Sequence, residues 1–330
     1  MKHTQTTSRI LMIRPAAFGP NADTLATNSF QGKPIGNPEQ IHSQALAEFD
    51  VFVGRMRQYG IEVFVFEDTL DPPTPDAIFP NNWFSTHSDG TVVMYPMQPR
   101  SRRGERRPDL FDSLAEDHFF QIARFIDFTD GESAGLFLEG TGSLVLDRLG
   151  CIGYAALSAR TRAPVLERFA GAFEYEIVSF RASDRGLPIY HTNVMLSLGR
   201  TFAVLAEETI DDPAERELVK SKLREGGRRI IRISREQCRA FAGNVLELKN
   251  GKGEPIIVLS AQAWGALDER SQAKLKEHGQ ILTAKIPTIE QFGGGSVRCM
   301  IAELFLPKFT GRPESHIRKR SSTGGVSHQG

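Results

Sequence analysis

The chain has 330 residues, of which 40% are apolar, and its 40 basic and 40 acidic residues cancel. The apolar fraction is enough for a large buried core. The lack of clustered positive charge argues against a nucleic-acid or membrane-surface protein. Three cysteines, an odd number, do not form a disulfide framework and fit a reducing compartment. The short apolar run at 10–13 fits no signal peptide or membrane span, so we predict a cytoplasmic protein.

Helical and strand-like stretches alternate along the chain. The spacing of apolar residues predicts helices at 38–59, 108–121, 159–172, 211–224 and 260–278. A short run of β-forming residues follows each of them, at 61–66, 122–128, 175–180, 230–233 and 281–286. Further strands that precede helices are predicted at 91–95, 143–146 and 202–205. The predicted unit is therefore strand–strand–helix–strand, repeated about five times.

This repeat predicts a fold class and a domain organisation. Two strands before each helix suit a closed ring of mixed-sheet blades better than an open parallel sheet. No linker interrupts residues 9–307, which we predict to be a single domain. Residues 1–8 are polar and are predicted to be an N-terminal tail. Residues 308–330, almost without apolar residues after Phe309, are predicted to be a disordered tail.

A glycine-rich segment near the end of the predicted domain carries the strongest chemical signal. Residues 293–299 read Gly-Gly-Gly-Ser-Val-Arg-Cys, and the glycines let the backbone approach a ligand closely. Arg298 places a positive charge beside Cys299, which favours the thiolate, the reactive form of the side chain. For Cys299 alone, a small residue after a glycine turn is the alternative. Cys151, in a predicted buried strand, and Cys238, in a predicted helix, are most simply packed thiols.

A histidine and an asparagine are candidate partners of this cysteine. His191 and Asn193 lie two residues apart in the run 188–196, which we predict to be a strand with both side chains on one face. A general acid/base beside an amide that binds substrate is one interpretation, and a core histidine is the other. His87 precedes a predicted hairpin turn and is expected to be exposed.

Two carboxylates lie in motifs that suit ligand binding. Glu139 ends an apolar run at the point where glycines break it, and Asp76 lies in Pro-Asp-Ala-Ile-Phe at 75–79, shortly before Asn82. Such stretches are commonly surface turns or Pro/Asn loops. The alternative is that the carboxylates pair with a cationic or NH-rich group.

Taken together, these motifs resemble the guanidino-group modifying superfamily, whose members share the pentein fold. The superfamily includes arginine deiminases, dimethylarginine hydrolases, amidinotransferases and succinylarginine dihydrolases. Its hallmarks match Asp76, Glu139, His191 and Cys299, in the family's order, over roughly residues 9–307. The resemblance implies an α/β fold, a five-bladed propeller of strand–strand–helix–strand blades, with Cys299, His191 and Glu139 as the catalytic residues.

Within the superfamily, the runs at 11–15, 79–83 and 191–195 look most like the branch named for citrulline use. The resemblance implies hydrolysis of citrulline. Asn82 and Asn193 stand where many guanidino-binding members have acids. A guanidinium offers only donors and suits carboxylates, whereas a ureido group carries a carbonyl to which an amide can donate. The two asparagines therefore favour a ureido substrate, although dihydrolase relatives with one such asparagine accept a guanidine.

The resulting hypothesis is a hydrolase that needs no metal and no cofactor. Cys299, ionised with help from Arg298 and a protonated His191, attacks the central carbon while Glu139 and Asp76 hold the NH groups of the substrate. With citrulline, the products are ornithine, ammonia and carbon dioxide. Histidine, cysteine, aspartate and glutamate are not spaced as in metal sites.

Other residues and other functions stay open at this point. Arg14 and Asn244 are candidates for binding the α-amino and α-carboxylate groups of the substrate. An arginine deiminase or dimethylarginine-type hydrolase would use the same residues, as would an amidinotransferase. A ring fold that serves as a binding module without catalysis is the non-enzymatic alternative. The expected partner is a small molecule, and a homo-oligomer is a further option.

Overall fold

The computed structural model describes residues 4–32 and 35–309 and shows a mixed α/β fold. Within these ranges the strands form five three-stranded sheets and one two-stranded hairpin. The strands are β1 (Arg9–Arg14), β2 (Glu62–Glu67), β3 (Phe84–Thr86), β4 (Thr91–Met94), β5 (Arg124–Asp127), β6 (Val145–Asp147), β7 (Ile152–Ala156), β8 (Glu176–Phe180), β9 (Ser183–Asp184), β10 (Leu187–Pro188), β11 (Leu196–Leu198), β12 (Phe202–Leu205), β13 (Arg229–Arg232), β14 (Leu246–Lys249), β15 (Pro255–Ser260), β16 (Gln280–Ala284) and β17 (Ala302–Glu303).

The helices are placed mainly between the second and third strands of the sheets. They are α1 (Ala22–Leu25), α2 (Pro38–Gln58), α3 (Asp109–Glu116), α4 (Gly140–Ser143), α5 (Ala163–Phe173), α6 (Pro213–Glu225), α7 (Arg235–Arg239), α8 (Ala261–Ala266), α9 (Glu269–Lys276) and α10 (Pro287–Gly293). A sheet and its helix form a unit that we call a module.

The modules share one topology. Their strand orders are β17-β1-β2, β3-β4-β5, β6-β7-β8, β11-β12-β13 and β14-β15-β16. In each, the first two strands are antiparallel and the second and third are parallel. A parallel pair needs a crossover connection, which explains why a helix lies between the second and third strands. The strand–strand–helix–strand repeat is thus present, and the last strand of the chain completes the module that the first strand begins.

Local sequence explains where the helices begin and end. Asn37 caps α2, Pro38 fits its first turn, and residues such as Ala45, Phe49 and Phe52 bury one face. The predicted helix 260–278 is instead two helices, because Ser260 caps α8 and Asp268 caps α9.

Several sequence-based boundaries were wrong. The helix predicted at 108–121 ends at Glu116, and that predicted at 159–172 begins at Ala163, after Thr161 bridges to Leu138. The run 188–196 is not a continuous strand but contains the 3₁₀ turn Thr192–Val194. Cys151 lies in the turn between β6 and β7 at φ +51°, not in a strand.

Short turns before the first strand of each module meet at one end of the sheets. We call these the inner turns: Pro80–Asn82 before β3, α4 before β6, Thr192–Val194 before β11, residues 241–244 before β14 and Val297–Met300 before β17. The turn α4 contacts Pro80–Asn82 and Thr192–Val194, and Pro80–Asn82 contacts Val297–Met300. The inner turns, which occupy the same position in each repeat, therefore contribute residues to one common site.

The two ends of the chain differ from the predicted tails. Gln5, Thr6 and Thr7 are buried, and Gln5 donates to the carbonyl of Leu146 at 2.9 Å. Polarity alone suggested a tail at 1–8, but the side chains of Gln5 and Thr7 find hydrogen-bond partners in the fold. Lys308 pairs with Glu62 at 2.7 Å, whereas the rest of the predicted C-terminal tail, from residue 310, lies outside the described residues. In the described part of the chain, no helix has the length and apolar character required to cross a membrane.

Candidate active site

The inner turns surround a small polar cavity. Its lining residues are Thr24, Asn28, Asp76, Phe79, Asn82, Arg102, Arg160, Tyr190, His191, Gly293, Gly294, Gly295 and Cys299. Its free volume is ≈ 10 Å³, roughly enough for one water molecule. The sequence-predicted Cys299, His191, Asp76 and Asn82 thus meet at one place, although they are up to 223 residues apart in the chain (from 76 to 299).

Cys299 is held against two asparagine side chains. It lies in the inner turn Val297–Met300 and is 3% exposed. The Nδ2 atoms of Asn193 and Asn244 lie 3.5 and 3.4 Å from its Sγ. Asn244 also donates to the carbonyl of Asn193 at 2.9 Å, and its Oδ1 accepts from the backbone N–H of Arg298 at 3.0 Å. N–H donors directed at sulfur favour a negative charge there.

Glu139 orients His191. The Oε2 of Glu139 accepts from Nε2 of His191 at 2.8 Å, and its Oε1 accepts from the backbone N–H of Gln98 at 3.0 Å. Because an ionised carboxylate can only accept, Nε2 carries the proton and Nδ1 keeps a lone pair. Burial lowers the pKa of His191 to about 4 and outweighs the opposing effect of Glu139. The sequence analysis expected a protonated His191, but the ring is neutral in this ligand-free site.

Glu139 itself is ionised. Burial alone would raise the pKa of this carboxyl, but Arg160, His191 and Arg102 together lower it to about 2. The Nη1 atoms of Arg160 and Arg102 lie 3.4 and 3.8 Å from its Oε2. A buried anion beside these cations keeps the histidine ring in one orientation and one tautomer.

We expect the His191 ring to stay neutral across the whole neutral pH range. Its signal in an NMR titration of the ring protons should not move between about pH 7.5 and 5.5, whereas an unperturbed histidine titrates near 6.5. The signal is assigned by its loss in His191→Asn. In Glu139→Gln the midpoint should fall further, because the carboxylate that favours the imidazolium is gone. A midpoint at or above 6.5 in the unmodified protein would contradict a neutral ring.

A buried ion network surrounds Arg102. Its Nε and Nη2 donate to the two carboxylate oxygens of Glu105, both at 2.8 Å, and its Nη1 donates to Oδ1 of Asn82 at 2.8 Å. Its Nε lies 3.7 Å from Oδ2 of Asp76. Burial raises the pKa of Glu105 to about 8, although both of its oxygens accept from Arg102, and it raises the pKa of Asp76 too. Ionisation of these buried carboxyls therefore costs free energy, and a bound cation would lower that cost.

Two buried polar atoms at the cavity lack partners. Oδ2 of Asp76 accepts from Asn21 at 2.8 Å, but Oδ1 finds no hydrogen-bond partner among the described residues. Nε of Arg160 is likewise unpaired within that part of the chain, while its Nη2 donates to Thr27 at 2.7 Å. Buried polar atoms are rarely left unpaired, so one free acceptor and one free donor indicate where a ligand binds.

The glycines of α4 allow the inner turns to approach one another. Gly140 has φ +47°, and a Cβ there would collide with the carbonyl of Asn81. A Cβ on Gly142 would collide with the Asn82 amide and lie 2.8 Å from Nδ1 of His191. A glycine after Glu139 thus permits close packing of the inner turns next to the Glu139 carboxylate.

Not every predicted site residue lies at the cavity. The Arg14 guanidinium pairs with Asp50 and Glu67 instead of a site residue. The Arg298 side chain lines a different cavity, with Arg148, Glu247 and Glu303. The Asn244 amide binds sulfur and backbone instead of facing the cavity. Asn82 reaches the cavity, but its amide already contacts Arg102 and Asn81.

The sequence analysis missed Arg102, Glu105 and Arg160. Arg102 lies in an arginine-rich stretch at 100–107, which is typical of an exposed surface. Arg160 follows the apolar strand β7 by a few residues, and this position after a buried strand was the available signal. Across residues 4–32 and 35–309, no three histidine, cysteine, aspartate or glutamate side chains cluster in a way that could hold a metal ion.

Comparison with known structures supports the same fold. Apo ArgZ, an arginine dihydrolase of the ornithine–ammonia cycle in cyanobacteria, matches with a TM-score of 0.69 and 17% identity over 92% of this chain and 41% of that one. AgrE in complex with ornithine and NAD⁺ matches with a TM-score of 0.69 and 19% identity over 93% of this chain and 40% of that one. This chain therefore spans about two fifths of the length of these two proteins.

A third structure matches along its whole length. A dimethylarginine dimethylaminohydrolase, solved as an adduct with 4-chloro-2-hydroxymethylpyridine, has a TM-score of 0.61 and 14% identity over 91% of this chain and 100% of that one.

None of the curated protein sequences matches significantly. The model of the family described as N,N dimethylarginine dimethylhydrolase, eukaryotic, matches residues 14–306. The chain therefore belongs to this family, within the guanidino-modifying pentein superfamily.

Proposed function

We propose that the protein is a cysteine-dependent hydrolase of an arginine-like guanidino compound. The observation that carries this proposal is the free Oδ1 of Asp76 at a cavity that also holds Cys299 and His191. A guanidinium offers only N–H donors, and an unpaired carboxylate oxygen is the acceptor that it requires.

The charges of the site support a cationic substrate. Three buried carboxylates, Asp76, Glu105 and Glu139, face two buried guanidiniums, Arg102 and Arg160. Full ionisation leaves one negative charge in excess; burial raises the pKa of Asp76 and Glu105, and repulsion from the neighbouring carboxylates adds to this. A substrate guanidinium supplies the missing positive charge and favours ionisation of both carboxyls.

The reaction follows from the positions of Cys299 and His191. Nδ1 of His191 takes the thiol proton as Sγ attacks the guanidino carbon, and the proton then passes to the leaving nitrogen. The bond from carbon to that nitrogen breaks, leaving an S-linked amidino intermediate. His191 next takes a proton from water, whose oxygen attacks the same carbon, and the thiol leaves with that proton. General acid–base catalysis of this kind contributes about 10²–10⁴-fold in rate.

The rest of the substrate has a partner in Arg160. Its Nε is a buried donor without an acceptor, and a carboxylate is the strongest acceptor that an amino-acid substrate brings. Arg160 thus contacts both the catalytic Glu139, at 3.4 Å, and the free space of the cavity. This assigns the carboxylate to Arg160 in place of Arg14.

Hydrolysis of citrulline is the second candidate. One observation favours it: the unpaired Nε of Arg160 can also donate to the carbonyl of a ureido group, which a guanidinium lacks. The original argument for citrulline relied on free amides at Asn82 and Asn193. Both amides have protein partners in the ligand-free site, so they favour a ureido group only if the substrate displaces those partners.

The fold around this site is part of the proposal. We infer that the modules close into a ring of five blades, as the sequence repeat predicts, because their inner turns converge on one cavity. We also propose that residues 9–307 form a single catalytic domain. The cytoplasmic location and any homo-oligomer stay predictions from the sequence.

Asp76→Asn should separate the two candidate substrates. Loss of the charge and of one acceptor should lower kcat/KM for L-arginine by about 10–100-fold, since a charged hydrogen bond contributes about 1.5–3 kcal/mol. Turnover of L-citrulline, a neutral ureido compound, should change much less. Steady-state assays of citrulline, ornithine and ammonia release measure both. Asp50→Asn, which removes a surface partner of Arg14, is the control. An equal loss for both substrates would contradict recognition of a cation by Asp76.

A further inference from the structure

The position of Asn244 suggests a role in the chemistry that its sequence context did not reveal. It is fully buried, with 0% exposure, and its Nδ2 lies 3.4 Å from Sγ of Cys299. The contacts of its side chain are with the sulfur and with backbone atoms, and it is not among the residues that line the cavity.

Both ends of this amide are fixed. Oδ1 accepts from the backbone N–H of Arg298 at 3.0 Å, and Nδ2 also donates to the carbonyl of Asn193 at 2.9 Å. The first contact identifies the oxygen end, so the NH₂ end must face the sulfur. Asn193 brings a second Nδ2 to within 3.5 Å of the same Sγ. Backbone contacts therefore fix the NH₂ group of Asn244 towards the sulfur, whereas Oδ1 of Asn193 also lies 3.9 Å from the sulfur and accepts from the thiol.

Neither of the two cationic groups that the sequence analysis placed at the sulfur, Arg298 and a protonated His191, is hydrogen-bonded to it among the described residues. The Arg298 side chain, next to Cys299 in the sequence, lines the cavity that also contains Glu247 and Glu303. His191 is neutral because burial lowers its pKa to about 4. The amides of Asn193 and Asn244 are thus the donors that the described residues place at the sulfur.

We propose that Asn244 is a catalytic residue whose side-chain amide, together with that of Asn193, stabilises the thiolate of Cys299. The inference rests on the proposed role of Cys299 as the nucleophile. It replaces the sequence-based assignment of Asn244 to the α-amino or α-carboxylate group of the substrate. Asn244 acts as the proton leaves the sulfur at the start of the reaction, and again as the sulfur leaves the carbon at its end.

The test is the pH dependence of alkylation of Cys299 by iodoacetamide, followed by mass spectrometry of the peptide that contains it. Asn244→Asp keeps the oxygen that accepts from Arg298 but places an acceptor against the sulfur. Asn244→Ala removes the donor without adding a charge. We expect the midpoint of the alkylation profile to rise by about one pH unit in the alanine variant and by more in the aspartate variant.

Controls separate this effect from damage to the fold. Asn81→Ala changes a buried asparagine whose amide contacts Thr141 and Asn82, not the sulfur, and should leave the midpoint unchanged. In Asn244→Asp, kcat should fall while KM stays close to that of the unmodified protein, because Asn244 does not line the cavity. If the alanine variant does not fold, the isosteric aspartate variant still gives the answer. Midpoints within about 0.3 units of the unmodified protein in every folded Asn244 variant would overturn the proposal.

The outcome is independent of the substrate assignment. Alkylation requires no substrate, so a shifted midpoint in a protein that hydrolyses neither L-arginine nor L-citrulline would reject the proposed function and retain the thiolate role of Asn244. Normal hydrolysis of arginine with unshifted midpoints would retain the proposed function and reject the thiolate role of Asn244.

Discussion

Replacing Cys299 with alanine should reduce turnover by about 10⁴-fold or more, because no S-linked intermediate can form without the sulfur. Binding should persist, since Asp76, Arg102 and Arg160 remain in place. Isothermal titration with L-arginine and L-citrulline measures the binding, and release of ammonia measures the turnover.

Cys238→Ala is a matched control for this change. Cys238 is also buried, at 2% exposure, but its Sγ donates to the carbonyl of Val194, and burial raises its pKa to about 12. Such a thiol is inert at neutral pH, so its removal should leave turnover intact. Normal turnover by Cys299→Ala would refute the cysteine mechanism, and equal losses in the two variants would point to a packing effect.

Replacing Glu139 with glutamine should reduce both activity and stability. The amide cannot hold His191 as an anion does, so kcat should fall by about 10²–10⁴-fold. The variant also leaves Arg102 and Arg160 with one buried carboxylate fewer. The pKa of Glu139, lowered from 4.5 to about 2, corresponds to about 3 kcal/mol of unfolding free energy at neutral pH.

The sign of the pH dependence follows from that lowered pKa. The contribution of Glu139 is fully present above its unfolded pKa and is lost as the pH falls towards about 2. The difference between the variant and the unmodified protein, measured by urea unfolding, should therefore be constant above about pH 5 and shrink below it. A difference that grows as the pH falls would contradict an ionised Glu139.

Asp147→Asn separates stability from catalysis in this comparison. Asp147 is as buried as Glu139, at 1% exposure, and accepts from Arg228 at 2.6 Å, but it lies at the end of β6 and, among the described residues, does not contact His191 as Glu139 does. Its replacement should lower stability while the folded enzyme retains its kcat. A comparable loss of kcat in Asp147→Asn would mean that any broken buried pair impairs the enzyme.

The sequence was sufficient to predict the strand–strand–helix–strand repeat and to select candidate site residues that lie close together in the fold. Strands and helices follow hydrophobic periods that are local, which is why α2 and the strand–strand–helix–strand order were predictable. Cys299, His191, Glu139 and Asp76 were identified because each lies in a short motif with turn residues. Motifs of this kind are visible without knowledge of the three-dimensional structure.

The roles of the arginines and asparagines were not predictable in the same way. Arg298 is next to Cys299 in the sequence, yet the two side chains line different cavities, because successive residues of a 3₁₀ turn point in different directions. Arg102 and Arg160 look like surface residues until the modules bring carboxylates to them. Burial of a charge depends on contacts between distant segments, which a single sequence does not show.

The ion network around Arg102 also has a consequence for how the chain folds. Its members come from chain positions 76, 102, 105, 139 and 160. Except for Glu105, whose partner Arg102 is three residues away, they have their partners only when at least two modules have assembled. A misassembled intermediate with the modules in the wrong order would bury these charges without partners, which costs several kcal/mol per ion. Such an intermediate is disfavoured relative to one that keeps the charges in water. The buried charges around Arg102 therefore also favour the native order of the modules during folding.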